Sequence, residues 1–90
     1  MGKALVTMKV MPESPSVDLN AIEAEATRIV KEVAGTDAKI TQEPIAFGLK
    51  AIILNFMIDE SIPLDNVEDK IKVIKDVSST DIVDFRRAFG

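Results

Sequence analysis

Two strand–helix–strand patterns in succession predict an α+β protein, an α/β sandwich in which a four-stranded sheet carries two helices on one face. Three observations underlie this. Lys3 to Met11 and Leu49 to Ile58 alternate with period two, as strands do. Leu19 to Ala34 spaces its apolar residues at helical intervals. A second amphipathic stretch follows Pro63, and a further candidate strand lies after each helix.

In the first strand Ala4, Val6, Met8 and Val10 share one face, opposite Leu5, Thr7, Lys9 and Met11. Pro12-Glu13-Ser14-Pro15 ends it, because proline donates no ladder hydrogen bond and pre-sets a turn. Asp18 can cap a helix from Leu19 to about Ala34. Its inward stripe is Leu19, Ile22, Ala26, Ile29, Val30 and Val33, while Glu23, Arg28, Lys31 and Glu32 face water. Gly35 stands where a left-handed C-cap is wanted. Asp37 to about Glu43 reads as the second strand, with only Ala38 and Ile40 apolar on its inner face.

Pro44-Ile45-Ala46-Phe47-Gly48 interrupts the pattern before the third strand, whose core face is Ile52, Leu54, Phe56 and Ile58. Ile53 and Met57 make its other face partly apolar, as in a central strand. After Pro63, Asp65 followed by Glu68 has the spacing of a capping box with Asp65 as the cap. That helix is expected to run to about Asp76, with Val67, Ile71, Ile74 and Val77 inward. The last strand spans roughly Ser79 to Arg86; Ile82, Val83 and Phe85 do not share a face, so its faces stay unassigned. The order βαββαβ is ferredoxin-like. Right-handed crossovers put the first and third strands at the centre, for an order 4-1-3-2. The sheet is expected to be antiparallel apart from a parallel central pair.

Ninety residues make one domain, residues 1–90. No apolar run exceeds four residues (Ala51 to Leu54), and Lys3 and Lys9 interrupt the N-terminal apolar stretch, so neither a membrane span nor a signal peptide is expected. The expected location is the cytoplasm. The chain has no Cys and no His, which excludes the usual zinc sites, Cys nucleophiles and every triad using His. A net charge of −4 and four Phe without Trp or Tyr argue against nucleic acid as the ligand. A protein partner is the expectation, with no cofactor.

Chemistry-bearing clusters are few. Asp59 and Glu60 are adjacent carboxylates, but two neighbours supply too few of the roughly six oxygens a hard cation needs; they read as a solvated turn, and no metal is expected. Asn55 reads as a polar residue on the open sheet face. Arg86-Arg87 is the only adjacent basic pair. Phe47 stands in a Pro/Gly-framed turn between two strands. Either its ring folds back over the sheet end, or it is an exposed interface anchor.

Pro44-Ile45-Ala46-Phe47-Gly48-Leu49-Lys50 resembles the Pro-x-x-(Phe/Tyr)-Gly-(Ile/Leu)-Lys segment of the elongation factor 1-beta family. Ile58-Asp59-Glu60 is similar to that family's strand entering an acidic turn, and Ser79-Thr80-Asp81-Ile82 to its C-terminal Ser-x-Asp-(Ile/Val) strand. The resemblance extends over the whole chain and is closest to the short archaeal members. It implies a guanine-nucleotide exchange factor that speeds GDP release from the GTPase elongation factor 1-alpha, so that GTP can reload it. It implies partner binding by Pro44, Phe47, Gly48, Lys50, Asp81, Arg86 and Arg87, with Phe47 wedged against the GTPase domain. A lysine that disturbs the magnesium site in eukaryotic members falls on Arg87. No catalytic residue of its own and no nucleotide bound by the free protein are implied. The sequence departs from the eukaryotic members in having no counterpart to their additional N-terminal region or their tryptophans. Arg stands for Lys, and Ala88-Phe89-Gly90 extends past it.

Two rivals use the same fold. A small-molecule-binding regulatory module would favour a glycine in the first loop, and an acyl-phosphate hydrolase would want an arginine there. The segment Met11 to Asp18 has neither.

Overall fold

A computed structural model describes residues 2–88. The chain runs β1 (Lys3–Pro12), α1 (Leu19–Ala34), β2 (Lys39–Pro44), a short 3-10 turn (Ala46–Gly48), β3 (Lys50–Asp59), α2 (Asp65–Lys72) and β4 (Val77–Ala88). The strands form one sheet in the order β2-β3-β1-β4, the expected ferredoxin-like arrangement.

The central pair corrects the expectation of parallel strands: β1 and β3 are antiparallel, Lys3 opposite Asp59 and Val10 opposite Ile52. The reason is the β2–β3 reversal. β2 is also antiparallel to β3, so β1 and β2 run the same way and β3 lies between them in the opposite sense. The α1 crossover therefore joins parallel strands that are not neighbours.

Period-two alternation places Ala4, Val6, Met8 and Val10 in the core, side by side with Ile58, Phe56, Leu54 and Ile52 of β3 on the same face of the sheet. Helix α1 contributes Ile22, Ala26, Ile29 and Val30, and α2 contributes Val67 and Ile71. Asp18 caps α1 as expected, its side chain accepting from the Asn20 and Ala21 amides, and Gly35 closes the helix at φ 75°. Removing such a cap costs about 1 kcal/mol. Ala38 and Ile40 pack against the core, although β2 begins at Lys39 rather than Asp37.

Helix α2 departs further from the sequence reading. Asp65 is the first residue of the helix, not its cap; Leu64 holds the cap position without a side-chain hydrogen bond. Asp65 then acts on the helix dipole, while the Glu68 carboxylate accepts from the Thr80 hydroxyl at 3.4 Å rather than reaching back. The helix stops at Lys72, short of Asp76. Tight turn bonds from Ile74 to Ile71 and from Val77 to Ile74 replace its last turn, with Asp76 at φ 72°. Val77 is buried, but it opens β4.

The unassigned faces of β4 have a register explanation. Asp84 lies opposite Thr7 while Ile82 lies opposite Met8, so Val83 is an extra residue in a bulge. The bulge resets the alternation. Ile82 and Phe85, opposite Met8 and Val6, then share the helix side of the sheet despite their odd spacing.

Candidate functional site

The residues implied by the resemblance fall at two ends of the sheet and one point between them. Pro44 and Lys50 are paired across the mouth of the β2–β3 turn. The turn is closed by the Ile45 amide donating to the Leu49 carbonyl at 2.7 Å and the Leu49 amide donating to the Ala46 carbonyl at 3.3 Å. Within it, Phe47 (φ 63°, ψ 30°) and Gly48 (φ 77°) are successive left-handed residues. Glycine adopts that region freely; a phenylalanine there carries strain of roughly 1–2 kcal/mol. The ring gains no burial in return. Phe47 is 93% exposed, so it does not fold back over the core. Gly48 faces Pro15 of the β1–α1 loop, where an added Cβ would meet the Pro15 Cβ at 3.8 Å. The tip thus presents its aromatic ring to solvent.

Arg86 and Arg87 point to opposite faces at the other end. Arg86 lies across from Leu5 and Arg87 across from Ala4, whose side chain is in the core. Arg86 Nε is 2.9 Å from the Asp84 carboxylate on its own strand. Arg87 Nε is 3.1 Å from Glu60 Oε2, in the turn before α2. A cleft of about 240 Å³ opens beside this pair, lined by Ile58, Ile62, Pro63, Leu64 and the half-exposed Phe85. Phe89 and Gly90 lie outside the described residues.

Asp81 sits between the two ends, on the face away from the helices and across from Lys9. The Lys9 ammonium lies 3.9 Å from Glu43 on the far side of β3. The same face carries the Thr7 hydroxyl donating to the Asn55 amide oxygen at 2.7 Å, which accounts for Asn55 structurally.

Asp59 and Glu60 do different work. Asp59 Oδ1 accepts from both the Ser61 amide and hydroxyl, at 2.9 and 2.8 Å, and these bonds hold its carboxyl below the ordinary carboxylate range, helped by the Lys3 charge. Glu60 faces Arg87. Among the described residues no group of three or more acidic side chains could hold a metal ion, and no helix is long and apolar enough to cross a membrane.

The structure therefore gathers Pro44, Phe47, Gly48 and Lys50 into one tip and separates them from Arg86 and Arg87. Arg87 is level with Ile58, eight steps along β3 from Lys50, or roughly 26 Å at ~3.3 Å per residue. The described fold extends 42 Å along its longest axis. Sequence reasoning missed Glu60 as the partner of Arg87. That pair joins segments far apart in the chain, and no local pattern in the sequence points to it.

A small sheet with an aromatic tip at one end and basic side chains at the other has the form of a protein-interaction domain. The family model of the EF-1 guanine nucleotide exchange domain matches residues 5–88. Elongation factor 1-beta of Methanobrevibacter smithii is 41% identical, over 97% of this chain and 98% of its own. The protein of the same name from Methanothermobacter thermautotrophicus is 43% identical over the same shares, and that of Halobacterium salinarum is 34% identical over 97% and 99%. The chain belongs to the EF-1 guanine nucleotide exchange family.

Proposed function

We propose that this protein, a single exchange domain spanning residues 1–90, releases GDP from elongation factor 1-alpha by engaging it at both ends of the sheet. Family membership supports the exchange reaction itself. The observation that carries the two-ended grip is the Phe47 ring, 93% exposed on a strained turn that lies beyond Lys50, itself roughly 26 Å along β3 from the level of Arg87. A rigid exposed aromatic offers contact area at small ordering cost, as interface anchors do.

In this reading Phe47 wedges a switch element of the GTPase into a nucleotide-poor shape, with Pro44, Gly48 and Lys50 holding the tip. Arg87 weakens the magnesium site by repulsion or by competing for its carboxylate ligands; Arg86 and Asp81 extend the contact. Exchange then needs no catalytic residue of its own. A partner that binds the empty GTPase more tightly than the loaded one weakens nucleotide by the same factor, tenfold for each ~1.4 kcal/mol of coupling. Excess GTP sets the direction. The protein acts in the cytoplasm, with no membrane or direct nucleic-acid contact, which a net charge of −4 supports.

Release of labelled GDP from the cognate elongation factor 1-alpha, with and without this protein, tests the reading. Release is expected to accelerate; an unchanged rate refutes it. The free protein is expected to bind no guanine nucleotide, since its glycines at 2, 35, 48 and 90 form no phosphate loop. Micromolar GDP affinity by calorimetry would contradict that.

A further inference from the structure

We propose that Glu60 is a positioning residue for exchange, holding the Arg87 guanidinium by its Nε so that both terminal nitrogens stand ready for the partner. The inference rests on the role given to Arg87 above and goes beyond it to a second residue.

Glu60 is anchored on both its backbone and its side chain. Its amide donates to the Gly2 carbonyl at 3.0 Å, tying the β3–α2 turn to the start of β1. Its carboxylate lies over Gly2, where an added Cβ would come 2.7 Å from Oε1 and 2.9 Å from Cδ. The other oxygen, Oε2, meets Arg87 Nε at 3.1 Å. Asp59, the neighbouring carboxylate, does not compete, because Ser61 occupies it.

The approach matters as much as the pairing. An arginine has five N–H donors, and only one of them is on Nε. The closest approach of the pair, 3.1 Å, is at the Nε edge and is one of charge, which leaves the four donors of the terminal nitrogens for a carboxylate or phosphate group. The Arg87 side chain is 81% exposed, so the pair does not bury the head it holds. A free arginine spreads its head over many rotamers, and holding it beforehand reduces the ordering cost of the step that Arg87 takes inside the formed complex. Arg86 lacks such a support from another element: its partner, Asp84, is two residues away on the same strand.

The test measures labelled GDP release at a series of protein concentrations, with melting temperatures in parallel. Glu60→Gln removes the charge and keeps the shape. Gly2→Ala keeps the charge and pushes the carboxylate away, an inexpensive shift because the atom displaced ends a flexible side chain. Each is expected to lower the maximal exchange rate about two- to fivefold, the range of a well-placed exposed ion pair. The half-saturating concentration and the melting temperature should stay put, since Arg87 acts after the complex forms. Combined with Arg87→Ala, neither variant should slow exchange further. An unchanged maximal rate, a shift confined to half-saturation, or an equal loss in the Arg87→Ala background would overturn the proposal. Should Arg87→Ala itself exchange like the unaltered protein, the role of Arg87 falls, and that of Glu60 with it. A normal Glu60→Gln beside a slow Arg87→Ala would refute Glu60 alone.

Discussion

The two ends of the sheet present their exposed groups by different physical means. At the β2–β3 tip, backbone conformation does it: Phe47 and Gly48 hold left-handed angles, closed by two main-chain hydrogen bonds. At the other end, electrostatics does it, through one exposed ion pair between Arg87 and Glu60. Dihedral geometry is indifferent to ionic strength, whereas an exposed pair is screened by salt. A tip built from backbone is pre-shaped and carries strain; a head held by charge is adjustable and weakly held. The difference suits a rigid tip at one end and a positioned, salt-sensitive cation at the other.

The largest expected effects test whether the tip is an interface and not part of the core. Phe56, 2% exposed, is the internal standard, and Phe56→Ala should cost about 3–5 kcal/mol of folding stability. Phe47→Ala should shift stability by less than about 1 kcal/mol. It should nonetheless weaken binding to nucleotide-free elongation factor 1-alpha by about 2 kcal/mol or more, as for an aromatic hot spot. Denaturant melts and a binding titration read both. A badly destabilised Phe47→Ala that still exchanges normally would erase the contrast between the ends.

Backbone strain at the tip gives the next effect. Phe47→Gly relieves the positive φ and should be about 1 kcal/mol more stable than Phe47→Ala, while Gly48→Ala should lose about 1–2 kcal/mol, because its φ of 77° resists any Cβ even though the nearest neighbour, Pro15, would be at ordinary contact distance. Equal stability for the two Phe47 variants would show that the turn relaxes.

Arg87→Ala should slow exchange most at high magnesium and leave complex formation largely intact; a loss equal at every magnesium concentration would count against a role at the metal. Arg86→Ala is the comparison for the metal role: Arg86 projects from the opposite face and only extends the contact, so any loss there should be the same at every magnesium concentration. Rising salt should reduce the Arg87 contribution and spare that of Phe47.

The smallest expected effect is a pH dependence at the Arg87 end. The Asp59 carboxyl is held below its ordinary value of 3.8 by the Ser61 bonds. Its contribution to stability is therefore complete above that value and is lost as pH falls through the lowered one. An acid melt of Asp59→Asn should show a flatter decline than the unaltered protein; parallel curves would mean that the turn contributes no such linkage.

Much of the fold was legible because local rules settled it. Period-two alternation named the core residues of β1 and β3, helical spacing named those of α1, and Asp18 and Gly35 marked its ends. The contiguous segment Pro44 to Lys50 made the tip legible as a unit. Its neighbours in sequence are its neighbours in space.

By itself, then, the sequence determined the element order, the buried faces of its regular strands and the position of the tip. The tertiary structure alone decided the sense of β3 against β1, the end of α2 at Lys72, the faces of β4, the exposure of Phe47 and the pairing of Arg87 with Glu60. The physical reason is shared. Alternation predicts a face only while the register is unbroken, and one extra residue, Val83, reverses it in a way that only the neighbouring strand reveals. A pair twenty-seven positions apart likewise depends on what the fold places beside it, here Gly2 against the Glu60 carboxylate.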